Sequence, residues 1–395
     1  MEKDIFGKQF ALNTKRVLKY RHDLHMIPEP GLEEKKTSAY IQRELTAARI
    51  PFKAGIAKTG VVAHIKGNGR APAVLLRADM DGIAVAKEET GLAYSSRHSG
   101  YMHACGHDAH TAMLLTAGHI LNSARRELPG DVILVFQPAE EGKCGGKLVV
   151  DSGAINWKNI GCAVALHMWG VSPGHTFGWN TGPAFAFADK FEAAIIGRGG
   201  HGSAPSQTLD PIPVAAQAIN TINTITSRTL NIHKQAVVSV CTVNGGSAFN
   251  VIPDRVDIKG TVRTYEAPLR NRIAAQLKRI FVHTARASGL KAEFQFHKFY
   301  PVLINDRNIA ELGRDVAQRI FGKKAVKEMQ PTMGGEDFSY FLQKVPGAMF
   351  LLGSSRTKKP TPHHNSLFDI DESSMIMGVE FLCKFVYRFQ TKAQR

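Results

Sequence analysis

Ten residues, Tyr101-Met102-His103-Ala104-Cys105-Gly106-His107-Asp108-Ala109-His110, place a thiol and three imidazoles at metal-ligand spacing just before an apolar run of helical pattern. A Cys-x-His pair can turn both side chains toward one ion when the chain bends at the glycine between them, because glycine tolerates the backbone angles of such a turn. A lone Cys or His is ordinarily a buried, satisfied core residue. Their density here points instead to a metal site. Further along, Glu140 and Glu141 are adjacent carboxylates behind an apolar segment and Pro138. Neighbouring side chains leave the backbone in different directions, so one can hold a metal while the other carries a proton. His167 closes the apolar run Val164-Ala165-Leu166, and Pro362 is followed by the pair His363-His364.

Elements must position these groups. Residues 13–26 and 37–48 read as helices, with Ile27-Pro28-Glu29-Pro30 between them. Strand-like apolar runs follow at 60–65 and 73–77, then a helix from about residue 108 to 128, a buried strand at 131–137 and another at 161–167. Alternating apolar strands and helices imply an α/β sheet domain, whose ligand site lies at the carboxyl ends of the strands. Arg77-Ala78-Asp79-Met80-Asp81, Gln137-Pro138-Ala139-Glu140-Glu141 and His167 all fall at such ends.

From about Asp189 the pattern changes. A strand (190–196), a helix (211–228), two strands (236–243 and 255–264), a helix (269–288) and a strand (291–297) make a βαββαβ unit large enough to fold as a small domain. The α/β pattern then resumes with a helix at 308–321, a strand at 348–352 and a last helix from about residue 372 to 389. The expected organisation is a catalytic domain in two parts, 1–187 and 298–395, interrupted by an inserted domain at 188–297.

A chain of 395 residues with 44% hydrophobic content suits two cores rather than one. Five cysteines at no regular spacing do not form a disulfide framework of the secreted kind, and Met1-Glu2-Lys3-Asp4-Ile5-Phe6-Gly7-Lys8 lacks the apolar core of a signal peptide; both predict a cytoplasmic location. The longest apolar stretches fall far below the ~20 residues that cross a bilayer, so no membrane partner is expected. The net charge of +16 invites anionic partners, but residues 189–297 hold 13 basic and 7 acidic residues, a net +6, and the remaining +10 lies elsewhere. Charge spread in this way gives no nucleic-acid stripe, and no nucleic acid is expected.

In order along the chain, Arg21-His22-Asp23-Leu24-His25, Arg77-Ala78-Asp79-Met80-Asp81, His103-Ala104-Cys105-Gly106-His107-Asp108, Phe136-Gln137-Pro138-Ala139-Glu140-Glu141-Gly142, Gly199-Gly200-His201-Gly202, Asn250-Val251-Ile252-Pro253-Asp254, Met333-Gly334-Gly335-Glu336-Asp337-Phe338 and Phe368-Asp369-Ile370-Asp371-Glu372 closely resemble the M20 metallopeptidases. The resemblance is to the subfamily of N-acyl-amino-acid amidohydrolases that includes hippurate hydrolases, indole-acetyl-amino-acid hydrolases and N-acetyl-diaminopimelate deacetylases, and it covers nearly the whole chain. It implies an α/β catalytic domain with a mixed sheet flanked by helices around two divalent metal ions, zinc, manganese, cobalt or nickel. The inserted βαββαβ domain would be a ferredoxin-like lid and dimerisation domain. The implied ligands are Cys105, His107, Glu141, His167 and one of His363 and His364. His364 is taken, since the family's ligand lies four residues before the aromatic that matches Phe368. Thiolate with imidazole suits zinc or another late first-row ion.

The same resemblance implies Glu140 as general base, taking a proton from the attacking water and returning it to the leaving amine. Asp79 and Asp81 would orient the site by accepting the second N–H of ligating imidazoles, with their division of labour open. His201, often reaching across a dimer in the family, and Asn250 would stabilise the oxyanion. Arg263 is the candidate for a substrate carboxylate, because guanidinium forks match carboxylates. Gly334 and Gly335 would permit close backbone approach to substrate. Ser206 stands where the family often has histidine and Ser366 where it often has proline, which bears on substrate rather than metal. Cys144 is read as inert.

The expected function is metal-dependent cleavage of an N-acyl-amino acid to a carboxylic acid and a free amino acid by a homodimer. A carboxypeptidase or dipeptidase on the same site is the alternative enzyme, since short peptides also present an amide beside a free carboxylate. A non-catalytic binding protein on this fold would have lost a ligand or the base, and this sequence retains both.

Overall fold

In the computed structural model, which describes residues 4–357 and 360–394, the chain's most continuous apolar runs lie side by side. Gly130–Gln137, Ala71–Asp79, Ile160–Pro173 and Gly347–Ser355 are mutually parallel at the centre of an eight-stranded sheet. They are largely buried on both faces, which is why their sequences are apolar throughout rather than alternating. Gly60–Ile65 and Phe52–Ile56 extend one edge in antiparallel fashion, and Phe177–Trp179 and Val326–Glu328 extend the other. Helices Gln9–His25, Lys35–Ala47, His107–Ser123, Arg307–Phe321 and Met375–Ala393 flank this sheet, giving a mixed α/β fold. His107–Ser123 is buried on nearly every side and acts as a core helix, as its apolar sequence dictates.

The ends of the central strands bear the chemistry. Asp79 pairs in register with Gln137, so the segments that carry Asp81 and the Glu140-Glu141 pair leave the sheet next to one another. The strand expected to end at His167 instead continues to Pro173, because His167, Met168 and Trp169 pair with Leu351, Leu352 and Gly353. His167 therefore projects from within a strand.

Two compact units divide the chain. One is built from the chain up to Ala184, Ile304–Gln330 and the chain from Asp337; the other comprises Phe185–Leu303 and Pro331–Glu336. The second unit holds a four-stranded antiparallel sheet in the order Ala236–Asn244, Arg255–Thr264, Phe187–Ile196, Lys291–Tyr300, with helices Pro211–Thr224 and Ala267–Ala287. Phe191, Ile195, Ile258 and Val262 on the strands and Ala218, Ile222, Ile273, Leu277 and Phe281 on the helices make its core. Asp210 caps the first helix by accepting the Ile212 N–H at 2.9 Å, with Pro211 at the first helical position. This unit spans 188–297 together with residues 185–187, 298–303 and Pro331–Glu336; the last segment joins it because the Ala186 N–H donates to Gly334 O at 2.9 Å and Phe185 bridges to Thr332.

Candidate metal centre

Gly106 adopts φ +86°, a left-handed conformation that glycine reaches without a Cβ clash, and the helix His107–Ser123 begins at the next residue. The bend brings Cys105 and His107 together with His167. One donor atom from each lies within 4.8 Å of the others, and Cys105 Sγ is 3.7 Å from His167 Nε2. Around a tetrahedral ion with Zn–S near 2.3 Å and Zn–N near 2.0 Å, such atoms stand about 3.5 Å apart. Cys105, Glu141 and His364 form a second triad within the same limit, and His107, Glu140 and Glu141 a third. The Cys105 thiol thus belongs to two triads, and His107 also approaches Asp79 and His110 in a further group.

The protonation pattern fits a cation. His107 turns Nδ1 to Asp81, 3.0 Å from the carbonyl oxygen and 3.2 Å from Oδ1, while its buried Nε2 has no hydrogen-bond partner among the described residues. His167 donates through Nδ1 to Met168 O at 2.6 Å, which leaves the Nε2 lone pair facing Cys105. His364 Nε2 lies 3.0 Å from Glu141 Oε1, and hydrogen bonds to Cys105 and Glu141 push its pKa up to about 10. A histidine made this basic marks a place whose other groups call for positive charge. Burial raises the Cys105 thiol, so a cation is what would hold it as thiolate.

Asp79 and Asp81 divide their work. Asp79 accepts from Arg77 Nη1 at 2.7 Å and meets His110 Nδ1 at 2.6 Å; burial works against its ionisation, but Arg77, His107 and His110 outweigh it and hold the carboxyl well below the usual range. His110 Nε2 in turn accepts the Met168 N–H at 2.7 Å. With both ring nitrogens engaged, His110 braces the strand beside His167 rather than offering a ligand. Asp81 accepts the backbone N–H groups of Glu140 at 3.1 Å and Glu141 at 3.0 Å. His363 Nε2 faces Met168 O at 3.1 Å and the Gly170 N–H at 3.3 Å, so of the late histidines only His364 joins the cluster. His103 is buried outside these triads, with its pKa pushed down to about 3 by burial.

Two buried arginines, quoted within motifs but assigned no part from sequence, organise the surroundings. Arg77 donates to Gln137 Oε1 at 2.8 Å and to Asp337 Oδ1 at 3.0 Å as well as to Asp79. Arg21 joins Asp108 at 3.2 Å, Asp369 at 3.0 Å and Glu372 at 2.6 Å, tying the start of the His107 helix to the segment that follows His364. An arginine inside an otherwise apolar strand, as in Val74-Leu75-Leu76-Arg77, is the sequence signal for such a hub, since buried charges need partners.

The second unit places its own candidates. His201 lies exposed on a ribbon in which Gly200–His201 pairs with Val251–Ile252, and its Nδ1 accepts from Ser203 N at 3.1 Å. Asn250 is exposed on the same ribbon, its carbonyl accepting the Gly202 N–H at 2.8 Å. Arg263 is half-buried and its guanidinium has no hydrogen-bond or ion-pair partner among the described residues; burial lowers its pKa. Gly335 backs onto it, for a Cβ there would come 3.0 Å from Arg263 Nη1, and the Gly334 N–H donates to Thr332 Oγ1 at 3.2 Å.

Known proteins are similar to this chain over nearly its whole length. A Bacillus subtilis (strain 168) N-acetyl-L-cysteine deacetylase is 39% identical over 368 residues, covering 93% of this chain and 86% of that protein. An Arabidopsis thaliana IAA-amino acid hydrolase (ILR1-like 4) is 35% identical over 93% of this chain and 84% of its own length, and the thermostable carboxypeptidase 2 of Saccharolobus solfataricus is 34% identical over 95% and 96%. The crystal structure of a dinuclear metal-binding M20 peptidase from Bacillus subtilis superposes with a TM-score of 0.83 at 31% identity, covering 96% of this chain and 99% of that one. Residues 75–388 match the model of peptidase family M20/M25/M40, so the chain belongs to that family and is a metal-dependent hydrolase of amide bonds.

Proposed function

We propose that the protein hydrolyses N-acyl-amino acids, releasing a carboxylic acid and a free amino acid. The observation that carries this reading is the pair of triads sharing Cys105, the buried Cys105-His107-His167 and Cys105-Glu141-His364, with Glu140 beside them. Cys105, His107, Glu141, His167 and His364 would hold two divalent ions, which polarise the substrate carbonyl and acidify water when bound. Glu140 takes a proton from water as its oxygen attacks the amide carbon, then delivers it to the nitrogen as the C–N bond breaks. Asp81 keeps His107 turned with Nε2 toward the cluster, and Asp79 steadies the site from Arg77 and His110.

In the second unit, we assign His201 and Asn250 to the oxyanion and Arg263, with the close-lying Gly334 and Gly335, to the substrate carboxylate. The exposure of His201 and the unpaired guanidinium of Arg263 support these roles. The strand order of this unit supports a ferredoxin-like lid. Its edge strand Ala236–Asn244 supports a homodimer in which His201 serves the partner's site. Five free cysteines support the cytoplasmic location, and no described helix is long and apolar enough to cross a membrane.

Peptidase activity on short peptides is the second reading, favoured by the likeness to thermostable carboxypeptidase 2. Purified protein reloaded in turn with zinc, manganese, cobalt and nickel should cleave N-acetyl- or N-benzoyl-amino acids faster than dipeptides. Faster turnover of the dipeptides would favour the second reading, and no hydrolysis with any metal would overturn both.

A further inference from the structure

The Glu140-Glu141 pair sits on an unusual piece of backbone. Ala139 has φ +56° and ψ +45°, a left-handed conformation that a side chain disfavours, and Gly142 returns to positive φ at +79°. Three consecutive amides of this turn are held by two buried carboxylates from distant segments. Glu140 and Glu141 donate to Asp81, while the Ala139 N–H donates to Glu34 Oε1 at 2.8 Å. The proposed reaction gives Asp81 a task and gives Glu34 none.

Glu34 is fully buried at the start of the helix Lys35–Ala47, and its second oxygen accepts from Thr59 Oγ1 at 2.5 Å. Gly31 presses on the same alanine, since a Cβ there would come 2.8 Å from both Ala139 Cα and Cβ. A strained left-handed residue persists only where its surroundings over-determine it. Removing the Glu34 acceptor would leave a buried N–H unpaired, and the turn could recover a partner only by changing conformation. Any such change rotates the backbone immediately ahead of both glutamates.

We propose that Glu34 is a positioning residue, which acts through the Ala139 amide to hold the left-handed turn that aims Glu140 at the attacking water, while Asp81 keeps its own hold on the Glu141 amide. This rests on the role given to Glu140 in the preceding subsection. Its distinguishing feature is an acceptor requirement: an oxygen must face the Ala139 N–H, whether or not it carries charge.

The test uses the full-length, zinc-loaded protein and reads kcat, KM and zinc per subunit on its best N-acyl-amino acid. Glu34→Ala should lower kcat by ~10²-fold, the penalty of moving a catalytic group by about 1 Å, with KM and zinc content near wild type. Glu34→Gln keeps an oxygen for Ala139 and lets Thr59 become the acceptor of the amide N–H, so it should restore kcat to within about threefold of wild type. Gly31→Ala, which leaves Glu34 in place but pushes on Ala139, should reproduce the loss of kcat. In a Glu140→Gln background, Glu34→Ala should add little to the defect, because the group it aims is already gone. Wild-type kcat in Glu34→Ala, equal defects in the Ala and Gln variants, or zinc lost in step with activity would each overturn the proposal. Should Glu34→Ala fail to fold, unchanged kcat in Gly31→Ala overturns it instead. Full turnover by Glu140→Gln alone would bring down the base assignment, and this proposal with it, whatever Glu34 does.

Discussion

Asp81 Oδ1 lies 3.2 Å from His107 Nδ1 and also accepts the Glu140 N–H at 3.1 Å, so one carboxylate orients the imidazole of a proposed metal ligand and the backbone of the proposed base. Asp81→Asn presents a single acceptor oxygen and adds donors that oppose an N–H. The expected result is a ~10- to 100-fold weaker metal affinity, as for other lost partners of ligating histidines, together with reduced kcat at saturating metal. Metal titration by calorimetry beside steady-state kinetics checks both halves. Wild-type affinity in the variant would show that Asp81 serves the glutamates alone.

Glu140→Gln keeps the shape of the side chain and removes the proton acceptor. Turnover should fall by at least ~10²-fold while bound metal stays at the wild-type stoichiometry, measured by elemental analysis. A metal-loaded variant that hydrolyses at a comparable rate would remove Glu140 from the base role.

Cys105→Ser and His107→Ala each remove a donor common to more than one triad, and both should lose metal and activity together. Cobalt substitution gives an optical readout, because a thiolate bound to cobalt absorbs strongly in the near ultraviolet. That band should be absent from Cys105→Ser. Its persistence would show that the thiol is not a ligand.

The parts of this centre differ in how far they can be read without a structure. Cys105, Gly106 and His107 are legible because a local bend at one glycine does the work, and the strand-end positions of Asp79 and Glu140 follow from alternating elements. Arg77 and Asp337 meet across 260 positions of sequence, and Arg21 and Glu372 across 351, so no local pattern announces either pair. His167 looks like the end of a strand because its ladder partner Leu351 belongs to the last strand of the sheet. The left-handed Ala139 is hidden for a related reason, since its support comes from Glu34 and Gly31 rather than from a glycine at its own position.

His25 gives a pH prediction. Burial opposes its charge, but Asp108 at 2.7 Å and Glu88 outweigh that and push its pKa up to about 9 from 6.5. A folded-state pKa above the unfolded value stabilises the protonated fold. That contribution is full below pH 6.5 and is lost as the pH rises through about 9. Its size is about 3 kcal/mol, from about 1.4 kcal/mol per unit. Denaturation midpoints of the metal-loaded protein should fall between these pH values in wild type and much less in His25→Gln. Equal slopes in the two proteins would show that the His25 pair does not govern this window.

A homodimer assembled through the second unit makes the last prediction. If His201 acts in the partner's site, His201→Ala should lower kcat far more than metal content, since it removes an oxyanion donor, worth ~10²-fold or more, rather than a ligand. Neither His201→Ala nor Glu140→Gln would then turn over efficiently alone. Mixed and allowed to exchange subunits, the two form heterodimers in which one site combines an intact Glu140 with an intact His201, and about a quarter of wild-type site activity should return at equal mixing with random pairing. Exchange itself is verified by mass spectrometry of differently tagged chains. No recovery after verified exchange would place His201 in its own subunit's chemistry or outside the reaction, and an active enzyme that sediments only as a monomer would exclude the shared site altogether.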